Sequence, residues 1–269
     1  MEELNKDLIY KQLSSASKKF YRVECEAIVD STNRVVHDRG ESQEEEGLCV
    51  VAEEQTKGRG RHGRRFYSPC GSGLYFSVLL RPELPMEQAV LLTTAAAVAG
   101  ALACEECCPQ LPSGEVKIKW VNDLFLRDRK FCGILTEGIP DPQGGRLKYA
   151  VLGIGFNLSP PEQGWPEELR DLAGSLYETS PPIGIKNRLV SAFLNTFLSF
   201  YRVLPKVDYL AEYRHRQWTV GKEVIVIQSD GSRRTGVALD VDDRCRLLVR
   251  LTGEEEVVTL DSGEVSVKA

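Results

Sequence analysis

The chain has 269 residues, 34 basic against 39 acidic, for a net charge of −5. With 42% apolar and 27% charged residues it has an ordinary globular balance, which excludes wholesale disorder, collagen-like and coiled-coil fibres. Mild acidity makes the whole surface poor bulk glue for DNA or an anionic membrane, so any anion site has to be local. The length fits one large domain or a large and a small one. The longest uncharged stretch, Ala89 to Cys104, is Ala- and Thr-rich and bracketed by Glu87 and Glu105, and the charged, amphipathic N-terminus has no signal-peptide core. A soluble, cytoplasmic protein with no membrane partner is expected.

In chain order, a helix is expected over the first twenty residues, then a strand over Tyr21 to Val29. Asp30-Ser31-Thr32-Asn33 reads as a helix N-cap signal, with its helix over Thr32 to Arg39. Leu48 to Glu53 reads as a buried strand, Gln55 to Pro69 as a loop, and Leu74 to Leu80 as a strand. Glu87 to Cys108 has the length and Ala/Leu content of a buried helix. Short strands follow at Val116 to Trp120, Asp123 to Phe125 and Phe131 to Glu137, and another at Leu147 to Asn157. Ile185 to Val203 and Val207 to Gln217 read as helices. After Gly221 the pattern becomes closely spaced β runs, Val224 to Gln228, Arg234 to Val241, Arg246 to Leu251 and Glu256 to Leu260, separated by turns such as Ser229-Asp230-Gly231. A small C-terminal β-barrel is expected, with domains at 1–218 and 219–269.

Eight cysteines are present, and Cys104, Cys107 and Cys108 form the only cluster. A second CxxC is missing, so reduced thiols on a helix end are the better reading than structural zinc.

Residues 57–65, Lys-Gly-Arg-Gly-Arg-His-Gly-Arg-Arg, hold five permanent cations and three glycines. Glycines let backbone approach a ligand closely, and the arginines suit phosphate or carboxylate. The stretch also fits a nucleic-acid patch or a solvated loop; it is not a Walker A sequence. Lys119-Trp120-Val121-Asn122-Asp123 reads either as a polar turn in a site or as a Trp anchor with an Asx-turn. Lys130 sits on a hairpin before Gly133, and Gly153 and Gly155 lie in a strand that ends at Asn157.

Taken together, Asp30-Ser31-Thr32-Asn33, Ala52 to Arg64, Lys119 to Leu124, Arg129 to Leu135 and Gly153 to Leu158 resemble the biotin protein ligases, over about residues 20 to 268. Val121 stands where the family usually has Pro, Phe66-Tyr67 where it has Trp, Lys57 where it has a small residue and His62 where it has Arg.

The resemblance implies an α/β (α+β) fold: a class II aminoacyl-tRNA synthetase-like mixed sheet with flanking helices, plus a small C-terminal SH3-like β-barrel. It also implies a two-step reaction. Biotin and ATP give biotinyl-5'-AMP and pyrophosphate, and a lysine of a biotin carboxyl carrier domain then takes the biotin. Carried over, Ser31, Thr32 and Gln55 would hold the ureido head, neutral groups matching a neutral urea, and Asn33 would also belong to the biotin site. Gly58, Arg59, Gly60 and Arg61 would lie over the tail, and Gly133 and Leu135 would line its channel. Arg59, Lys130 and Asp123 would be catalytic, Lys130 pairing with the biotin carboxylate. Arg61, Arg64, Phe66, Lys119, Asn122 and Asn157 would serve ATP, Asn157 reading adenine, with Mg²⁺ near Asp123.

About twenty residues precede the first strand, so no DNA-binding winged helix is expected. A homodimer is left open. The alternatives are a lipoate ligase or octanoyl transferase on the same fold, and, in a different class, a nucleic-acid-binding module.

Overall fold

The computed structural model describes residues 4–227, 231–261 and 264–267. The expected opening helix is two short ones, α1 (Lys6–Gln12) and α2 (Ser15–Phe20), each with its own side-chain N-cap, Asn5 and Ser14. Strand β1 (Arg22–Val29) leads into α3 (Thr32–Glu41), then β2 (Leu48–Gln55) and β3 (Gly73–Leu80). Helix α4 (Val90–Cys107) precedes a run of four strands: β4 (Lys117–Lys119), β5 (Asp123–Leu126), β6 (Arg129–Pro140) and β7 (Leu147–Asn157). Helices α5 (Ile185–Tyr201) and α6 (Leu210–His215) follow, then β8 (Glu223–Ile227), β9 (Arg233–Val241), β10 (Leu247–Leu251), β11 (Val257–Leu260) and β12 (Glu264–Val267).

The first seven strands form one sheet in the order β1-β2-β3-β7-β6-β5-β4. Only β1 and β2 run parallel, joined through α3; the remaining pairs are antiparallel. The mixed sheet with flanking helices is as expected. Every residue of β3 is buried, as is all of β7 except Lys148, the continuous apolar pattern of strands covered on both faces. Helix α4 is long and apolar enough, by length and composition, to cross a membrane, but it packs against β6 and α5 with most of its surface inside the protein. Its hydroxyls are internally satisfied: Thr93 Oγ1 donates to Thr136 Oγ1 at 2.7 Å, and Thr94 Oγ1 lies 2.9 Å from the Tyr209 hydroxyl.

Strands β8 to β12 form a second, antiparallel sheet in the order β11-β10-β9-β8-β12. Among the described residues β11 and β12 are its two edges, and no pairing between them closes a barrel. Gln228, expected as a strand end, and Ser229-Asp230, expected in a turn, lie outside the described residues. The two sheets share a continuous core. Trp120 Nε1 donates to the Cys245 carbonyl at 3.0 Å, and Ile118 exchanges backbone hydrogen bonds with the Arg216–Trp218 segment. Arg216, fully buried, anchors this junction: it bonds both carboxylate oxygens of Glu105 at 2.6 and 2.8 Å and also reaches Glu212 and the Val116 carbonyl. Burial alone would push the Glu105 carboxyl up, but the Arg216 bonds outweigh it and hold the group below its usual range.

Candidate active site

Cross-strand register lays out the floor of the site. Ser77, Gly153 and Leu135 stand opposite one another across β3, β7 and β6, and Tyr75, Gly155, Gly133 and Asp123 form the next row. Positions two apart on a strand share a face, so both rows point to the side covered by α3 and the cationic loop. The glycines are explained by what lies over them. A Cβ on Gly153 would fall 1.8 Å from Asn33 Oδ1, and Cβ atoms on Gly133 and Gly155 would meet the Phe66 ring at 3.0 and 2.8 Å.

Asp30-Ser31-Thr32-Asn33 opens α3 as expected, but the capping differs. Ser31 occupies the N-cap position and its side chain makes no cap bond. Gln55, at the end of β2, takes over: its Oε1 accepts from Thr32 N at 2.9 Å and lies 3.1 Å from Thr32 Oγ1, while its Nε2 donates to Ser68 Oγ at 3.1 Å. Released from capping, the Ser31 hydroxyl is buried, lines a cleft and has no hydrogen-bond partner. An orphaned buried hydroxyl costs free energy unless a ligand supplies the missing bond.

The cationic loop folds as a small hairpin, with Gly60 N donating to Arg64 O at 2.7 Å and Phe66 N to Gly58 O at 3.0 Å. Its side chains reach across the cleft at two places. Arg59 pairs with Glu137 at 3.0 Å, and Arg61 Nη1 donates to Asn122 Oδ1 at 3.1 Å. Asn122 is itself fixed to β6 by Nδ2 donating to Ile134 O at 2.7 Å.

Two clefts result. The smaller, about 40 Å³, is bounded by Ser31, Thr32, Gln55, Arg59 and Phe66 above the glycine floor, with Asn33, Gly60, Gly133 and Leu135 also in its wall. The larger, about 710 Å³, contains Arg61, Arg64, Lys119, Asp123 and Lys130, and is bounded on its far side by Trp218 and by Val265 to Val267 of β12. Arg61 and Asn122 belong to both. The smaller cleft offers hydroxyl and amide groups beside Arg59 and Arg61, and the larger sets Arg61, Arg64, Lys119 and Lys130 against Asp123, Asp128 and Asp171.

Lys130 Nζ lies 2.8 Å from Asp123 Oδ1, an ion pair rather than a well-aligned hydrogen bond. Its backbone is held on both sides, N to Leu172 O and O to Gly174 N. Asp123 is one of three carboxylates lining the larger cleft, with Asp128 and Asp171. No group of three or more metal-ligating side chains occurs among the described residues. Asp123 and Asn122 therefore suit a magnesium ion carried in on phosphates, not one held in a protein cage.

Phe66, expected on the ATP side, walls the smaller cleft and covers Gly133 and Gly155. Gly58 lies beneath the loop, where a Cβ would strike Phe66 O and Ser68 Oγ. Arg59 places its guanidinium on Glu137, four residues along β6 from Gly133, beside which the Lys130 ammonium lies, a separation of roughly 13 Å at strand rise. Asn157 is buried, donates to Gly174 O at 3.1 Å and contributes to neither cleft wall. Val121, buried beside Trp120, follows a cis peptide bond. Cys104 and Cys132 are buried, which pushes both thiols far up and leaves them unsuited to nucleophilic work. Sequence reasoning missed Ser77, Glu137 and Trp218.

The sequence and the fold are matched among known proteins. Residues 25–157 match the biotin/lipoate A/B protein ligase family, and residues 219–268 the biotin protein ligase C-terminal domain. The biotin–[acetyl-CoA-carboxylase] ligase of Mycobacterium tuberculosis is 30% identical over 256 residues, covering 92% of this chain and 90% of that protein. The chain belongs to the biotin protein ligase family. The bifunctional ligase/repressor BirA of Bacillus spizizenii is 35% identical over 153 residues, 57% of this chain; the match spans only 45% of that relative's length. The biotin protein ligase from Aquifex aeolicus, solved in complex with biotin and ATP, superposes with a TM-score of 0.70 at 27% identity, covering 93% of this chain and 99% of that one.

Proposed function

We propose that the protein is an ATP-dependent biotin protein ligase: it activates biotin to biotinyl-5'-AMP and transfers the biotin to a lysine of a biotin carboxyl carrier domain. The observation that carries this reading is the seam between the clefts, where Arg61 and Asn122 face both and Lys130 stands beside Asp123. The ureido head enters the smaller cleft, where Ser31 Oγ lacks a partner and Thr32, Asn33 and Gln55 supply neutral polar groups. The valeryl tail runs over Gly133 and Leu135, beneath Gly58 to Arg61. That orientation brings its carboxylate to the seam.

Bringing a carboxylate against a triphosphate costs Coulomb energy of several kcal/mol at low dielectric, of order 4 kcal/mol per pair at an effective ε near 20. Lys130 and Arg61 offset it at fixed positions, with Arg64 and Lys119 on the phosphate side. A carboxylate oxygen of biotin attacks the α-phosphorus and the Pα–O bond to the β-phosphate breaks, releasing pyrophosphate. The carrier lysine, arriving as a free amine, then attacks the acyl carbon. The C–O bond breaks, AMP leaves with the electron pair, and the amine proton passes to solvent. Magnesium, bound with ATP, supplies charge neutralisation on the phosphates. Arg59 acts as a clasp for the loop, since its guanidinium lies toward the ureido end. Asn157 keeps its bond to the Gly174 carbonyl and has its second N–H and its Oδ1 to offer adenine. Domains at 1–218 and 219–269 and a cytoplasmic location accompany the reading.

The test is pyrophosphate–ATP exchange with biotin or lipoate, followed by transfer to a carrier domain. Biotin-dependent exchange and labelling of a single carrier lysine are expected; exchange driven by lipoate would contradict the assignment and favour a lipoate ligase.

A further inference from the structure

Glu137 contacts both the cationic loop and the start of α3. Its Oε1 lies 3.0 Å from Arg59 Nη2, and its Oε2 accepts from Arg59 Nη1 at 3.3 Å and from Asn33 Nδ2 at 2.8 Å. A carboxylate accepts only, so it fixes the Asn33 amide with its nitrogen toward β6 and its oxygen toward Ser77. Ser77 Oγ donates to that oxygen at 2.6 Å and lies 2.7 Å from Thr32 Oγ1, which in turn meets Gln55 Oε1. A single connected network therefore runs from Arg59 through Glu137, Asn33, Ser77 and Thr32 to Gln55. Glu137 stands two residues beyond Leu135 on the same face of β6, at the end of the smaller cleft away from Lys130. An uncompensated carboxylate beside the reacting anions would oppose the reaction, but here it faces the neutral end and is paired.

We propose that Glu137 is a positioning residue for biotin. It sets the amide orientation of Asn33, and through Arg59 it clasps the loop over the inner end of the cleft, without touching the groups that activate the carboxylate. The proposal rests on the ligase reading above and predicts a split in kinetic effect. Arg59 is half exposed, so the contact is screened and worth less than a buried charge pair. Losing the clasp and the Asn33 anchor together should weaken biotin binding about tenfold.

The experiment is biotin-dependent pyrophosphate exchange with wild type, Glu137→Gln, Arg59→Gln and the double variant, alongside limited trypsin digestion. For Glu137→Gln the expected result is a KM for biotin raised about tenfold, with kcat and the KM for ATP within about threefold of wild type. Cleavage after Arg61 and Arg64 should be faster, and wild-type rates should return at saturating biotin. Arg59→Gln should show the same split, and the double variant should be no worse than the poorer single one, since the two residues act as a unit. An unchanged KM for biotin in Glu137→Gln, or a double variant whose effects multiply to about a hundredfold, overturns the proposal while leaving the ligase reading intact. If Glu137→Gln does not fold, Arg59→Gln decides alone: an unchanged KM for biotin and unchanged digestion overturn the clasp. Wild type with no biotin-dependent exchange overturns the ligase reading itself.

Discussion

Arg61 Nη1 donates to Asn122 Oδ1 at 3.1 Å, tying the glycine-arginine loop to the turn between β4 and β5 at the seam of the two clefts. The bond joins residues 61 positions apart in sequence. It places a permanent cation over the point where an acyl phosphate would form and have to be kept.

Retention of that intermediate is the first consequence. Arg61→Ala removes the seam cation while Lys130 still faces the carboxylate, so escape of the adenylate should rise more than its formation falls. A charge-assisted contact worth about 1.5–3 kcal/mol corresponds to roughly 10- to 150-fold faster loss. Incubated with biotin, ATP and serum albumin, the variant should label albumin lysines well above wild type. Adenylate formation without extra albumin labelling would show that Arg61 does not retain it.

Lys130→Ala should abolish adenylate formation with the fold preserved. The side chain is a third exposed, and only its backbone is tied to the 172–174 segment. Circular dichroism should match wild type, whereas pyrophosphate exchange within tenfold of wild type would remove Lys130 from the chemistry.

Gly153→Ala tests the close packing beneath α3. The added Cβ would sit on Asn33 Oδ1, forcing that side chain away from both Ser77 and Glu137. Two hydrogen bonds at about 1 kcal/mol each predict a loss of roughly 2 kcal/mol in stability, with weakened biotin affinity by calorimetry. Wild-type affinity would mean that Asn33 does not shape the ureido end.

Much of this was legible in the sequence. The loop glycines announced close backbone approach and the loop cations an anion, while Gly133 and Leu135 came from the family resemblance. Their partners were not legible, because Arg59–Glu137 and Arg61–Asn122 span 78 and 61 residues and depend on sheet order, which local pattern does not encode. Glu137 could have been reached by continuing the period of two from Gly133 and Leu135. The N-cap residues marked the start of α3 correctly, yet Gln55 took the capping role from a distant strand and left Ser31 facing the cleft. Asn157 came as an adenine reader only from the family resemblance, and its bond to the Gly174 carbonyl, 17 residues on, was not legible in the local pattern.

The junction between the sheets carries a pH signature. Glu105 is held below its usual pKa by Arg216, so its contribution is complete above the unfolded value near 4.3 and is lost as pH falls through the lowered folded value. Arg216→Met leaves a buried carboxylate unpaired and should cost about 3–5 kcal/mol at neutral pH. Unfolding should show that deficit narrowing as pH falls from above about 4.3, where burial raises the unpaired Glu105 carboxyl of the variant, down through the lowered value in wild type. A deficit independent of pH would mean that the arginine acts by packing alone.

Thiol labelling probes the cysteine cluster. Cys70 is exposed, whereas Cys104 and Cys132 are buried and strongly raised and Cys107 is pushed up to about 12. Iodoacetamide on native protein should modify Cys70 first, read by peptide mass spectrometry. Early modification of Cys104 or Cys107 would contradict the buried placement of α4's end.

The most direct measurement is native mass spectrometry of the protein mixed with biotin and magnesium ATP. The account predicts a bound species with the mass of biotin joined to AMP less one water, appearing only when both substrates are present and disappearing when a carrier domain is added. Binding of ATP and biotin as separate, unreacted ligands, or formation of the adenylate of lipoate instead, would contradict it.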